Sequence, residues 1–188
     1  MIIFLTQILI KNINLSEIYK LKKRFVMRKT PIICIVGKSG SGKTTLIEKL
    51  IPELKKRGYR IGSIKHACQK FDIDKKGKDS WRHRKAGADI VVIASTDKIA
   101  MIKDNDCESL DCLNKYFNGV DLVMAEGFNK ENIPKIEIVR KANGKEPLCL
   151  NDNKLIALVT DVDIVHKVPT FGLEEIDKLA DFIERKYL

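Results

Sequence analysis

Long apolar runs, repeats, linkers and aromatic residues are all scarce in this 188-residue chain, and each scarcity removes a class of protein. The longest apolar-rich stretch, residues 2–10, is too short to span a bilayer, so stable membrane insertion is not expected. It has no basic residues before it and no small-residue cleavage site after it, which argues against a secretory signal. No repeat or low-complexity segment appears, and the five Pro and eleven Gly are scattered. The expectation is one domain over residues 31–188, with residues 1–30 as a peripheral N-terminal extension. Met27 would be a natural alternative start. Five cysteines (Cys34, Cys68, Cys107, Cys112, Cys149) form no Cys-x-x-Cys pair, and their odd number fits free thiols in a reducing cytoplasm. Cys34 lies in an apolar run and reads as core packing.

Acidic charge is also in short supply. The formal net charge is +10, and it is unevenly spread. Residues 1–30 hold seven Lys/Arg against one Glu (7 − 1 = +6), and residues 60–85 hold nine Lys/Arg against three Asp (9 − 3 = +6). The apolar-then-basic order of residues 1–30 leaves contact with a membrane surface open. The second belt suits an anionic ligand or an acidic protein surface, or is simply solvated. Only Phe71 and Trp81 fall inside it. Without stacking platforms, nucleic acid is not an expected partner.

A 44% apolar content is enough for a core. Residues 32–36 (IICIV) read as a central parallel strand covered on both faces. Residues 44–57 place apolar side chains at Leu46, Ile47, Leu50, Ile51 and Leu54, a helical spacing that ends in basic residues and Gly58. Strands are expected over residues 60–65, 90–94, 99–102, 121–125 and 155–159. Helices are expected over 79–86, 108–117 and 173–187. Residues 135–139 (KIEIV) alternate like an edge or half-exposed strand. Strands alternating with helices, with few hairpin signals, predict a three-layer α/β fold with a mostly parallel sheet.

Between the first strand and the first helix stands Gly37-Lys38-Ser39-Gly40-Ser41-Gly42-Lys43-Thr44, which fits G-x-x-x-x-G-K-[S/T]. Glycines let backbone N–H groups approach phosphate oxygens, Lys43 can reach the β and γ phosphates, and the Thr44 hydroxyl suits Mg²⁺. Thr45 follows in the first helical turn. Lys38 reads either as a second nucleotide-directed lysine or as a solvated one. Residues 121–127 are an apolar strand ending in Glu126-Gly127, where Glu126 can serve a metal-bound or attacking water. Gly127 would let a backbone amide approach the γ-phosphate.

The polar segment from Lys65 to Arg84 follows the second strand. Asp74 and Asp79 there can reach Mg²⁺ through water, or Asp79 and Ser80 can cap a helix. A metal set of His66, Cys68 and His83 matches no established spacing. Asp161, at the end of the strand over 155–159, can accept the N1–H and N2–H₂ of guanine or be a turn residue. The full Asn-Lys-x-Asp motif is missing.

Taken together, these residues resemble the MobB family of molybdopterin-guanine dinucleotide biosynthesis. The likeness runs from Pro31 to Leu188. It rests on the loop followed by Thr45-Leu46-Ile47-Glu48-Lys49-Leu50-Ile51, on Ile64-Lys65-His66 with Phe71-Asp72-Ile73-Asp74, on Gly77-Lys78-Asp79-Ser80 with Arg82, Arg84 and Ala86-Gly87-Ala88, and on Glu126-Gly127-Phe128 with Lys135-Ile136-Glu137. The histidine-rich stretch usual after Lys-His is interrupted here by Ala67, Cys68 and Gln69. The resemblance implies a P-loop NTPase fold and a cytoplasmic, homodimeric, Mg²⁺-dependent GTP binder with weak GTPase activity. It also implies assistance to the guanylyltransferase MobA without being that enzyme. Lys43 and Glu126 would then be catalytic, and Thr44, Glu126 and Asp74 would hold the metal. Lys65, His66, Lys78, Arg82 and Arg84 would meet a molybdopterin-containing molecule or the partner. A metallochaperone GTPase and a small-molecule P-loop kinase are the competing classes.

Overall fold

Short apolar strands bounded by glycine turns can be buried on both faces only if helices or loops cover both sides of the sheet. The computed structural model describes residues 29–67, 71–107, 109–144 and 146–188. Residues 1–28 with Met27, together with Cys68 and Glu108, lie outside the described residues. Pro31–Leu188 forms one compact unit.

In chain order the elements are β1 (Ile32–Val36), α1 (Lys43–Lys56), β2 (Ile61–Lys65), α2 (Asp79–Lys85), β3 (Ile90–Ala94), β4 (Ile99–Lys103), α3 (Leu110–Leu113), β5 (Leu122–Glu126), β6 (Lys135–Val139), β7 (Leu155–Thr160), β8 (Thr170–Phe171) and α4 (Ile176–Tyr187). Six strands make one sheet in the order β2-β5-β1-β6-β7-β8, and every pairing in it is parallel. Among the described residues no helix is long and apolar enough to cross a membrane.

The two sheet faces are covered differently. Ile33, Ile35, Met124 and Ile138 pack with Leu46, Leu50 and Leu54 of α1 and Leu179 and Ile183 of α4. Each such side chain, taken fully out of water, contributes about 1.5–3 kcal/mol. Arg57 ties the two helices at the rim. Its Nε donates to Glu53, and its Nη1 donates to Asp181 at 2.5 Å and to Glu184 at 2.8 Å. On the other face Ile32, Cys34, Val36 and Val123 pack with Leu110, Phe128 and Cys149. That third layer is made of short turns and loops. Burial pushes the Cys34 thiol up to about 12 and the Cys149 thiol up to about 11.

Four expectations need correction. Residues 135–139 are not an edge strand: β6 lies between β1 and β7, and all five residues are buried. Its alternating polar residues are satisfied inside. Lys135 Nζ donates to Asp152 Oδ2 at 2.7 Å and to the Glu131 carbonyl. The Glu137 carboxylate accepts from the amides of Leu148 and Cys149. Second, β3 and β4 do not join the parallel sheet. They pair with each other as an antiparallel hairpin, whose Ile90, Val92, Ile93, Ile99 and Met101 are exposed. Third, the helix expected over 108–117 is one α turn, α3, capped by Ser109 and followed by a 3₁₀ turn, Asn114–Phe117. Fourth, Cys107 and Cys112 form a disulfide. The turn held by Asn105 and Ser109 folds the chain back and brings the two together.

Candidate functional site

The loop after β1 is shaped by what presses on it. Gly37 has φ +141°, and a Cβ there would sit 2.5 Å from the Ile138 carbonyl oxygen of β6. Only glycine lets the loop lie this close to the neighbouring strand. Gly42, at φ +96°, is the left-handed residue before α1, and its carbonyl accepts the first helical bond from Leu46 at 2.9 Å. The α1 N-terminus therefore faces the loop, with its amides and dipole favouring an anion. Lys43 Nζ bridges the loop, donating to the carbonyls of Gly37 at 3.0 Å and Lys38 at 2.8 Å. Ser39, Gly40 and Thr45 are exposed, whereas Ser41 is buried at 1% exposure. The Ser41 hydroxyl has no hydrogen-bond partner among the described residues.

Parallel pairing brings the carboxyl end of β5 beside that of β1, with Glu126 opposite Ile35. Glu126 Oε2 accepts from Thr44 Oγ1 at 3.0 Å, and Lys65 Nζ lies 3.3 Å from Oε1. Three residues expected at the site thus meet. Gly127 is different: its amide donates to Ile35 O at 3.0 Å, so the amide expected to approach a γ-phosphate is already bonded. His66 donates its amide to Glu126 O and sets its ring 4.9 Å from that of Phe128.

The switch-like segment is held by its own charges. Asp74 Oδ1 accepts from Ser80 Oγ at 2.9 Å, and its Oδ2 lies 3.2 Å from Arg84 Nε. Arg84 also donates to Asp72 at 2.9 Å. Asp74 is therefore committed to Ser80 and Arg84, and no bond joins it to Thr44 or Glu126 among the described residues. The capping expectation is also corrected. Lys78 is the N-cap of α2 and makes no side-chain cap bond, while Asp79 pairs with Arg82 at 3.6 Å. Lys78 is exposed, as is the Arg82 side chain. Among the described residues no three His, Cys, Asp or Glu gather as a metal site.

On the other side of β1, Asp161 closes β7. Its Oδ1 accepts from the Lys141 amide at 2.7 Å and its Oδ2 from Arg140 Nε at 3.2 Å. The Lys141 amide holds this carboxyl below the usual carboxylate range, and Arg140 adds to the effect against a cost from burial.

The sequence pattern described as MobB, Molybdopterin guanine dinucleotide synthesis protein B, matches residues 32–161, from β1 to the aspartate just described. The chain belongs to the MobB family. The Molybdopterin-guanine dinucleotide biosynthesis adapter protein of Haemophilus influenzae is 40% identical over 163 residues, which are 85% of this chain and 91% of that protein. Its namesake from Escherichia coli is 39% identical over 159 residues, 81% and 91% of the two chains. A crystal structure of molybdopterin-guanine biosynthesis protein B matches with a TM-score of 0.66 at 34% identity, over 82% of this chain and 98% of that one. Bacillus subtilis MobB, at 23% identity and TM-score 0.66 over 84% and 98%, supports the fold alone.

Two residues beside the glycine loop were not expected from the sequence. Arg140 and Asn143 follow β6, and Asn143 Nδ2 donates to Ser39 O at 2.7 Å, bracing the loop. Glu137 holds the segment that follows β6 by accepting from the amides of Leu148 and Cys149. The available signal was topological: any residue just past β6 must lie beside the loop if β6 pairs with β1.

Proposed function

We propose that this chain is a GTP-binding adapter with weak GTPase activity, acting in the cytoplasm as a homodimer and assisting a MobA-type guanylyltransferase in molybdopterin guanine dinucleotide synthesis. The observation that carries this reading is the contact of Thr44 with Glu126 at the mouth of the glycine loop, with Lys43 beside them. The donor set fits the expected ligands. A hydroxyl and a carboxylate in contact suit an oxygen-liking divalent cation, and the buried, unpartnered Ser41 hydroxyl suits a phosphate oxygen.

In this reading Gly37 to Thr44 bind and orient the triphosphate, with backbone amides and Lys43 countering its charge. Thr44 and Glu126 would hold Mg²⁺, which when bound offsets charge on the β and γ phosphates. Glu126 also orients a water toward the terminal phosphate. Asp74, already bonded to Ser80 and Arg84, can act only indirectly on that metal. The Asp161 oxygens have two lone-pair positions beyond those used by Arg140 and Lys141, enough for guanine N1–H and N2–H₂. Lys65, His66, Lys78 and Arg82 present cationic and polar groups to a pterin phosphate or the partner surface, with Arg84 keeping the segment in shape. A second copy of the chain would cover the β3–β4 hairpin, since a lone two-stranded hairpin with exposed apolar side chains is marginal in water.

The test is calorimetry of the full chain with GTP and ATP in parallel, with Lys43→Ala as control. GTP should bind more tightly than ATP, and Lys43→Ala should lose about 2–4 kcal/mol for both. Unchanged GTP affinity in Lys43→Ala would overturn the assignment. A reconstituted cofactor-forming assay with Arg82→Glu then reports on the partner face, because Arg82 has only an exposed contact with Asp79.

A further inference from the structure

Arg140 stands just past the carboxyl end of β6, the strand that flanks β1 on the side away from Glu126. Its Nε is held by Asp161, and the same carboxylate pins the Lys141 amide. The backbone and side chain of this corner are therefore fixed together. The two terminal nitrogens of the guanidinium have no partner among the described residues. Nη1 points at the glycine loop: a Cβ built on Gly42 would lie 3.7 Å from it. An arginine whose Nε is clamped by a carboxylate while its Nη atoms stay open presents a rigid fork of donors to oxygen anions.

A second observation marks the same place. Lys38, Ser41, Arg140, Asn143, Gly144 and Glu146 border a shallow depression beside the loop that is open to solvent. The Ser41 hydroxyl in this recess is 1% exposed and unpartnered. Leaving such a group unsatisfied is destabilising unless a ligand oxygen or water completes it. Lys38 Nζ borders the recess from the loop side, 3.3 Å from a Cβ built on Gly144.

We propose that Arg140 is a phosphate-contacting residue of the nucleotide site and that Asp161 is the positioning residue that aims it across the glycine loop. The inference rests on the reading of that loop as a triphosphate site and adds a cation from the β6 side. The phosphate chain then lies between two charged flanks: Lys65, Thr44 and Glu126 from β2, α1 and β5, and Arg140 from β6. Asp161 keeps lone pairs for a base, so aiming Arg140 and reading guanine do not exclude each other. The bland alternative is a surface ion pair, since Arg140 and Asp161 side chains are 38% and 33% exposed. Such a pair contributes little to stability and nothing to ligand affinity.

Calorimetric titration of the full chain with GTP, ATP and inorganic tripolyphosphate, each with Mg²⁺, separates the cases. Arg140→Gln should weaken all three by about tenfold or more, the effect of removing a charged hydrogen bond. Arg140→Lys should regain part of the tripolyphosphate affinity, because it keeps the charge and loses only the fork. Asp161→Asn should weaken tripolyphosphate less than Arg140→Gln does, since the cation stays but is no longer aimed. Melting curves accompany each variant, and Arg140→Lys carries the comparison if Arg140→Gln does not fold. Wild-type tripolyphosphate affinity in folded Arg140→Gln would overturn the proposal, and so would a loss confined to GTP. For a folded Arg140→Lys carrying the comparison, equal affinity with wild type for all three ligands would do the same. If the wild-type chain binds none of the three and matches Lys43→Ala, the nucleotide reading falls first and this inference with it.

Discussion

The buried pair Lys135–Asp152 offers a test in which two substitutions at one contact should have very different costs. The Lys135 side chain is 2% exposed and its ammonium has two acceptors, Asp152 and the Glu131 carbonyl. Asp152 is 28% exposed, and its other oxygen accepts from the Lys154 amide at 2.8 Å. Asp152→Asn keeps an oxygen for both donors but strands a positive charge inside the sheet, which costs about 3 kcal/mol or more. Lys135→Met removes that charge, fills similar volume and leaves Asp152 with Lys154 and water, so its cost is about 1 kcal/mol or less. With a urea m-value of about 2 kcal/mol/M, the midpoint should drop by about 1.5 M for Asp152→Asn and by about 0.5 M or less for Lys135→Met. Equilibrium urea unfolding followed by circular dichroism reads both. Equal losses would mean that the ammonium is solvated and that β6 is half-exposed after all.

Glu126→Gln should retain GTP binding while any GTP turnover falls at least about tenfold, because the work proposed for the carboxylate is on metal and water; single-turnover assays showing an unchanged rate would reduce Glu126 to a strand-end residue. If a second copy covers the hairpin as proposed, lysines at Ile99 and Met101 should shift the chain from dimer to monomer in light scattering with the fold kept, and an unaltered mass would refute that contact. Acid should destabilise the protein. Tyr59 holds the Glu184 carboxyl, and Lys135 the Asp152 carboxyl, below their usual range. A folded value below the unfolded one gives stability that is present above about pH 4 and lost as pH falls through the folded value. The thermal midpoint should therefore fall between about pH 5 and pH 3, and a flat profile there would contradict these contacts.

The parts of the site that were legible in the sequence are those whose cause is local. An apolar run, a glycine turn and a helical spacing specify β1, the loop and α1 without help from the rest of the chain. The place of Glu126 was legible because a buried strand parallel to β1 must end beside that loop. KIEIV misled because alternation normally means one wet face. The groups that satisfy Glu137, and the carboxylate that pairs with Lys135, come from residues 148–152, which no window on β6 contains. β3 and β4 were each readable as strands, but their pairing was not, since the Ser95–Lys98 connection carries no glycine turn signal. Arg140 and Asn143 were invisible for a different reason. Their importance comes from strand order, which puts the end of β6 against a loop encoded far earlier.

That separation along the chain has a consequence for how the protein comes to exist. The first glycine of the loop is seated against Ile138, and β1 is bounded on its two edges by β5 and β6. Both strands are encoded in the distant half of the chain, so the cradle cannot be completed while synthesis is still at α2 or the hairpin. Parallel pairings of such long range close slowly. During translation the glycine loop should emerge early and stay incompetent, gaining affinity for its ligand only after β6 has cleared the ribosome. Once that happens, ligand binding would act on the last-formed strand contacts and stabilise the finished fold as a whole.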